Sequence, residues 1–314
     1  MTQRMPRKLK PGDTVCILAP ASPVGSEGPY AAGKAYLERK GYRVAEGEHL
    51  QSRHLLFAGE DHQRAADVNA AFSDPWIDAI FCARGGTGTL RLLPHVDYGA
   101  VSRNPKILLG YSDITALQAS LYAKCGLVSF YGPMVTTEIG RGLTPYTERN
   151  LFETLTCTGG RELVNPPDDP PETLCEGEAS GELLGGCLSI FVSLLGTPYE
   201  PDTRGKILFF EDIDETPHRI DRFLTQLILA KKLQAAAGII FGNFRNAAYP
   251  PDHAYAAMAA SAIDLVRDRT SGLGVPALYG LKFGHEPDML TIPIGAVAHL
   301  DATRGIVTTG PCVW

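Results

Sequence analysis

Short apolar runs alternate with helix-patterned stretches over the first 131 residues, and this alternation constrains the fold more than any other feature of the chain. Residues 14–19 form a β-rich apolar run that ends at Pro20, and the turn formers of 21–26 follow. Residues 30–40 carry helical spacing and stop at Gly41, a residue type suited to the left-handed turn after a helix; 42–45 then read as a second strand. Asp61 is placed to cap a helix through Ala65, Val68 and Phe72 that Pro75 stops. Residues 77–83, 106–111 and 127–131 supply three more strands. Strand, helix and strand in succession imply a parallel, right-handed, doubly wound sheet, with its sites beyond the carboxyl ends of the strands.

Two loops fall at such ends. In Gly110-Tyr111-Ser112-Asp113-Ile114 an apolar run meets a sharp turn, and a helical pattern through Ile114, Leu117 and Leu121 starts at once. A serine there stands proud of the sheet edge, with the first helix amides pointing toward whatever its hydroxyl attacks. The alternative is that Ser112 or Asp113 caps the helix, and the second glycine of a G-x-S-x-G elbow is absent. The other loop, Arg84-Gly85-Gly86-Thr87-Gly88, lets backbone amides approach a ligand and could serve an oxyanion. It could also cradle a phosphate, although it matches neither the dinucleotide nor the P-loop pattern.

The second half is organised differently. The run Asn165-Pro166-Pro167-Asp168-Asp169-Pro170-Pro171-Glu172 holds too many prolines for a helix or a strand and reads as a linker. The expected division is therefore 1–160 for an N-terminal α/β domain, 161–176 for the linker and 177–314 for a smaller C-terminal domain. In the latter, 187–195 and 220–230 look helical and 206–210 and 238–241 look like strands, a second α/β unit. From residue 277 short apolar runs alternate with turns (277–283, 289–294, 296–300 and 306–309), so the end of the chain is expected to be β-rich.

Composition excludes several classes of function. A net charge of -6, from 29 basic and 35 acidic residues without a basic cluster, gives no field to hold nucleic acid. No apolar stretch approaches the ~20 residues of a membrane span, and residues 1–10 lead into a strand with no signal core. The seven cysteines are odd in number and never in C-x-x-C spacing, so they read as small buried thiols in a reducing compartment. These features point to a cytoplasmic protein, with no metal site of recognisable ligand spacing.

A serine nucleophile needs a base, and the base needs an orienting acid. Of the eight histidines, His285 stands out in Gly284-His285-Glu286-Pro287, directly after an apolar run; His218, beside Arg219, is the rival and suits a solvated helix start. For the acid, Phe209-Phe210-Glu211-Asp212 is informative. An extended Glu211 shares a face with Phe209 at the edge of the core, where a carboxylate needs a partner, and Asp212 points the other way.

With these residues in view, the sequence resembles the LD-carboxypeptidases, serine peptidases that include the microcin-immunity hydrolases. Lys10-Pro11-Gly12-Asp13, Ala19-Pro20-Ala21-Ser22-Pro23, Ala83-Arg84-Gly85-Gly86, Gly110-Tyr111-Ser112-Asp113, Tyr131-Gly132-Pro133-Met134, Gly185-Gly186, Glu211-Asp212, Arg219-Ile220-Asp221-Arg222 and Gly284-His285 follow the family's order over nearly the whole chain. The resemblance implies a Rossmann-like N-terminal sheet bearing nucleophile Ser112 and a C-terminal domain bearing base His285 and acid Glu211, with the amides of Gly86 and Asp113 as oxyanion donors. It further implies a cytoplasmic, metal-free, cofactor-free enzyme, often a homodimer, that releases terminal D-alanine from murein tetrapeptides. The alternatives are an aminoacyl-nucleotide hydrolase of the immunity type and, in another class, a two-domain small-molecule binding protein. Thr87, Cys187 and His218 stand where tyrosine, asparagine and tyrosine are common in the family, and Thr87 could reshape the substrate pocket. Arg84 is the basic residue expected to meet a terminal carboxylate, with a structural ion pair as its other reading.

Overall fold

In the computed structural model, which describes residues 2–246 and 261–314, the strands form two sheets. The first has six strands in the order Ile292–Ile294, Ser129–Tyr131, Ile107–Gly110, Ala79–Cys82, Thr14–Leu18, Arg43–Glu46. The five drawn from the first half of the chain run parallel, as their alternation with helices requires. Alternate residues along them feed opposite faces. Val15, Ile17, Phe81 and Leu109 pack on one side with Tyr30 and Leu37 of helix Glu27–Arg39. Cys16, Leu18, Ile80 and Leu108 pack on the other with Val68 and Phe72 of helix Asp61–Ser73 and with Leu117 and Leu121 of helix Thr115–Cys125. Burial on both faces is why these strands read as continuous apolar runs.

The helix ends are close to expectation, with one correction. Gly41, at φ +88°, follows the helix that ends at Arg39, as the sequence predicts. Glu60, not Asp61, caps the next helix, in a reciprocal capping box with Gln63. Asp61 is its first residue and pairs with Arg64 and Arg91.

The second sheet has eight strands: Arg161–Leu163, Ile306–Thr309, Val297–Asp301, Glu178–Cys187, Ile207–Ile213, Gly238–Arg245, Ala277–Tyr279 and Glu172–Cys175, in that order. Its four central strands, from Glu178–Cys187 to Ala277–Tyr279, pair in parallel, and antiparallel strands flank them on both sides. Three features differ from the sequence expectation. Segment 161–176 contributes a strand to each edge of this sheet, on either side of its prolines. Ile292–Ile294 leaves the second half to pair antiparallel with Ser129–Tyr131 of the first sheet. Cys312 and Val313 also return to the first half, where they pack beside Leu9 and Leu155. One apolar core runs from Phe72 and Leu117 through Leu183, Phe209 and Phe241, so both halves share it.

The seven cysteines are all free thiols. Cys16, Cys82, Cys125, Cys187 and Cys312 are buried as anticipated, whereas Cys175 is half-buried and Cys157 exposed. Among the described residues, no helix is long and apolar enough to cross a membrane.

Candidate active site

Ser112 stands one residue beyond strand Ile107–Gly110, after Tyr111, and adopts φ +64°, a left-handed conformation rare for a residue with a side chain. The turn is held from below. Thr89 donates its amide to the Asp113 carboxylate at 2.9 Å and its hydroxyl to the Asp113 carbonyl oxygen, which ties the glycine-rich loop to the serine turn. A Cβ at Gly85 would stand 3.0 Å from that of Ser112, so the loop passes the serine at a distance that favours glycine. Burial pushes the Asp113 carboxyl above its ordinary pKa, against the hydrogen bonds from Thr89. Neither Ser112 nor Asp113 caps the following helix through its side chain; the turn Ser112–Ile114 starts at Tyr111 and continues into Thr115–Cys125.

The Ser112 hydroxyl instead meets His285, with Oγ 3.2 Å from Nε2. His285 lies after Gly284, whose φ of +78° turns the chain outward from the sheet. On its other side the imidazole Nδ1 is 2.8 Å from Glu211 Oε2, which also accepts the His285 amide at 3.2 Å. Glu211 is fully buried in strand Ile207–Ile213. Its second oxygen accepts from the Tyr131 hydroxyl at 2.5 Å, and that hydroxyl accepts from the Ser112 amide at 3.3 Å. Asp212 faces away, as strand alternation dictates, and accepts from the amides of Ser189 and Ile213 and from the Cys187 thiol.

Burial alone would lower the pKa of His285, but the hydrogen bond and charge of Glu211, helped by the charges of Asp212 and Glu138, outweigh it and raise the value above that of an ordinary histidine. With Nδ1–H committed to a carboxylate, the neutral ring presents a lone pair at Nε2 to the serine. Burial, reinforced by Glu211, holds the Tyr131 phenol well above its ordinary range, so it remains a donor. Tyr111 lies edge-on to the imidazole with centroids 4.9 Å apart, its hydroxyl on Glu138 at 2.8 Å. Arg245 donates to the His285 carbonyl at 3.1 Å.

Thus Ser112, Glu211 and His285 come together across the two halves, and the amides of Gly86 and Asp113 are free of protein acceptors among the described residues. His218 is exposed beside Thr216 and is not part of the contacts described above. His253 lies outside the described residues. Arg84 does not line the cavity beside His285, and its Nε is buried without a hydrogen-bond partner. Residue-by-residue reading assigned no role to Tyr131, Tyr111 or Arg245. The only available signal for Tyr131 was its motif with Gly132, because its partners are 19 and 80 positions away. Among the described residues, no group of three or more histidine, cysteine or acidic side chains is placed to hold a metal ion.

Comparison with known proteins bears on the fold and the family. Residues 15–132 match the model of the LD-carboxypeptidase N-terminal domain, and 180–300 match that of its C-terminal domain. A probable murein peptide carboxypeptidase of Bacillus subtilis is 41% identical over 95% of this chain and 92% of its own. Among solved structures, MccF in complex with glutamyl sulfamoyl guanosine superposes with a TM-score of 0.89 at 25% identity over 99% of both chains. A muramoyltetrapeptide carboxypeptidase from Oxalobacter formigenes gives 0.84 at 30% identity over 96% of this chain and all of its own. Fold and relatives together define a serine peptidase of the muramoyltetrapeptide carboxypeptidase type. The chain belongs to the LD-carboxypeptidase family.

Proposed function

We propose that the protein cleaves the L,D bond that releases terminal D-alanine from murein tetrapeptides, with Ser112 as nucleophile, His285 as general base and Glu211 as the acid that orients it. The observation that carries this reading is the unbroken line from Ser112 Oγ to His285 Nε2 at 3.2 Å and from Nδ1 to the buried Glu211 at 2.8 Å. His285 takes the serine proton as Oγ attacks the carbonyl of the L-configured diamino acid, then delivers it to the departing D-alanine nitrogen. Glu211 fixes the tautomer and stabilises the transient imidazolium. The amides of Gly86 and Asp113 receive the developing oxyanion, a contribution worth roughly 3 kcal/mol per donor in comparable sites. Water then repeats the sequence on the acyl-enzyme. This reading makes the protein a cytoplasmic enzyme of peptidoglycan recycling, and a homodimer by analogy with the family.

The likeness to a sulfamoyl-nucleotide complex supports a second reading, hydrolysis of an aminoacyl nucleotide. Two observations favour the murein peptide. Trp76 and Trp314 are exposed and outside the cavity beside His285, and Tyr111, which among the described residues is the tyrosine lining that cavity, is held by His285 and Glu138 rather than open to stack on a base. The deciding experiment incubates purified protein with L-Ala-D-Glu-diamino acid-D-Ala, with the diastereomer whose penultimate centre is D, and with an aminoacyl sulfamoyl adenosine, using Ser112→Ala as control. D-Alanine release from the first peptide alone is the expected result. Turnover of the adenosine compound alone moves the protein to the immunity branch.

A further inference from the structure

The triad accounts for bond cleavage but not for the restriction to a terminal residue. A cavity of about 470 Å³ opens against His285 and Tyr111, and two arginines line it, Arg141 and Arg245. We propose that these two guanidiniums form the subsite for the free carboxylate of the departing residue. The inference rests on the carboxypeptidase reading above and adds the residues that enforce it.

Charge accounting within the cavity supports the assignment. Two carboxylates also line it, and both are engaged elsewhere. Glu138 accepts from the Tyr111 hydroxyl on one oxygen, and from the Met134 amide and the Thr137 hydroxyl on the other. Glu286 accepts from Asn243 at 2.8 Å and lies 4.0 Å from Lys282. Neither arginine forms an ion pair among the described residues. Arg245 is half-buried and spends one N–H on the His285 carbonyl, while the Arg141 side chain makes no hydrogen bond to the described protein. The half-buried Arg245 guanidinium keeps most of its five donors unspent and the exposed Arg141 guanidinium keeps all of them among the described residues, and a carboxylate matches that fork.

Direction follows from the chemistry. The proton taken from Ser112 passes from His285 Nε2 to the leaving nitrogen, so the departing residue must lie against the imidazole. Its carboxylate carbon is two bonds from that nitrogen. A cavity that touches His285 and holds two cations without an ion pair among the described residues is therefore on the leaving side. Arg84, the basic residue that sequence alone favours for this task, is outside the cavity.

The test compares the tetrapeptide acid with its C-terminal carboxamide in native protein, Arg141→Gln and Arg84→Gln. Arg141→Gln is the informative variant because, unlike Arg245, it does not touch His285. Native protein is expected to favour the acid in kcat/KM by roughly tenfold or more, through KM, as for a charge-assisted contact. Arg141→Gln brings the acid-to-amide ratio toward one, whereas Arg84→Gln keeps it. Equal turnover of acid and amide by native protein, or a ratio that survives in Arg141→Gln, or one lost in Arg84→Gln, overturns the assignment while leaving the carboxypeptidase reading intact. Turnover of the sulfamoyl nucleotide alone overturns both.

Discussion

Tyr131 joins two groups that the sequence places far apart, accepting from the amide of Ser112 and donating to the carboxylate of Glu211. Tyr131→Phe keeps the ring contacts with Phe209 and Phe283 and removes only these bonds. It should lower kcat roughly ten- to hundredfold, the range for a buried hydrogen bond to a charged group, with KM little changed. The whole charge of Glu211 then acts on His285, so the acidic limb of the rate profile should move to higher pH. In the native enzyme that limb should already lie above the ordinary histidine value, because Glu211 raises His285, with activity lost as pH falls through it. The stability linkage has the opposite sense. A histidine with a raised folded pKa stabilises the fold fully below its unfolded value, about 6.5, and that contribution is lost as pH rises through the folded value. Urea titrations of His285→Ala against native protein should therefore differ more at pH 5 than at pH 9. Glu211→Gln should cost on the order of 10⁴ in kcat, as for other triads, whereas Asp212→Asn, whose bonds run to Ser189, Ile213 and Cys187, should cost less than about tenfold. Equal losses would refute the division of labour between the two acids. The outward and inward directions of these carboxylates were legible, since strand alternation fixes them. The Tyr131 contacts were not, because nothing local to residue 131 specifies a partner 80 positions away.

Among the elements, the parallel strands and their helices were readable because each is a local pattern closed by a glycine or proline. Pairing was readable only where the connection is short. Ile292–Ile294 has three apolar residues that fit either sheet, and the edge of Ser129–Tyr131 takes them. The prolines of 165–171 concealed the two strands beside them, each of three or four residues and each at an edge, where proline-rich neighbours are tolerated. The loop after strand Ala277–Tyr279 was more informative. Gly284 turns at φ +78°, and a Cβ there would stand 2.2 Å from the carboxyl carbon of Glu211. Gly284→Ala should displace either the acid or the base and lower kcat/KM by at least about a hundredfold, as misplacement by an ångström does in oriented sites. An unaltered circular dichroism spectrum would separate this from unfolding. Gly196→Ala is the comparison, since it has an equally unfavourable φ of +76° but no atom within 4 Å of the added carbon. It should lose stability through backbone strain without the same loss of rate.

For the molecule entire, the shared core matters more than the division into halves. Apolar residues from both sheets pack as one cluster, a strand from the second half completes the first sheet, and the C-terminal residues pack against the N-terminal ones. Calorimetry should accordingly show one cooperative unfolding transition, with calorimetric and van't Hoff enthalpies in agreement; two resolved transitions would mean that the halves melt independently. The same connectivity bears on how the enzyme is made. Ser112 leaves the ribosome 173 residues ahead of His285, a gap of roughly ten to thirty seconds at ordinary elongation rates. Throughout that interval Ser112 lacks the proposed base His285, and the sheet that carries it lacks its last strand. On the proposed triad, synthesis order acts as a safety catch: a nascent chain that stops short of His285 carries the attacking group without its base, and hydrolysis waits until the chain through His285 has been released and folded.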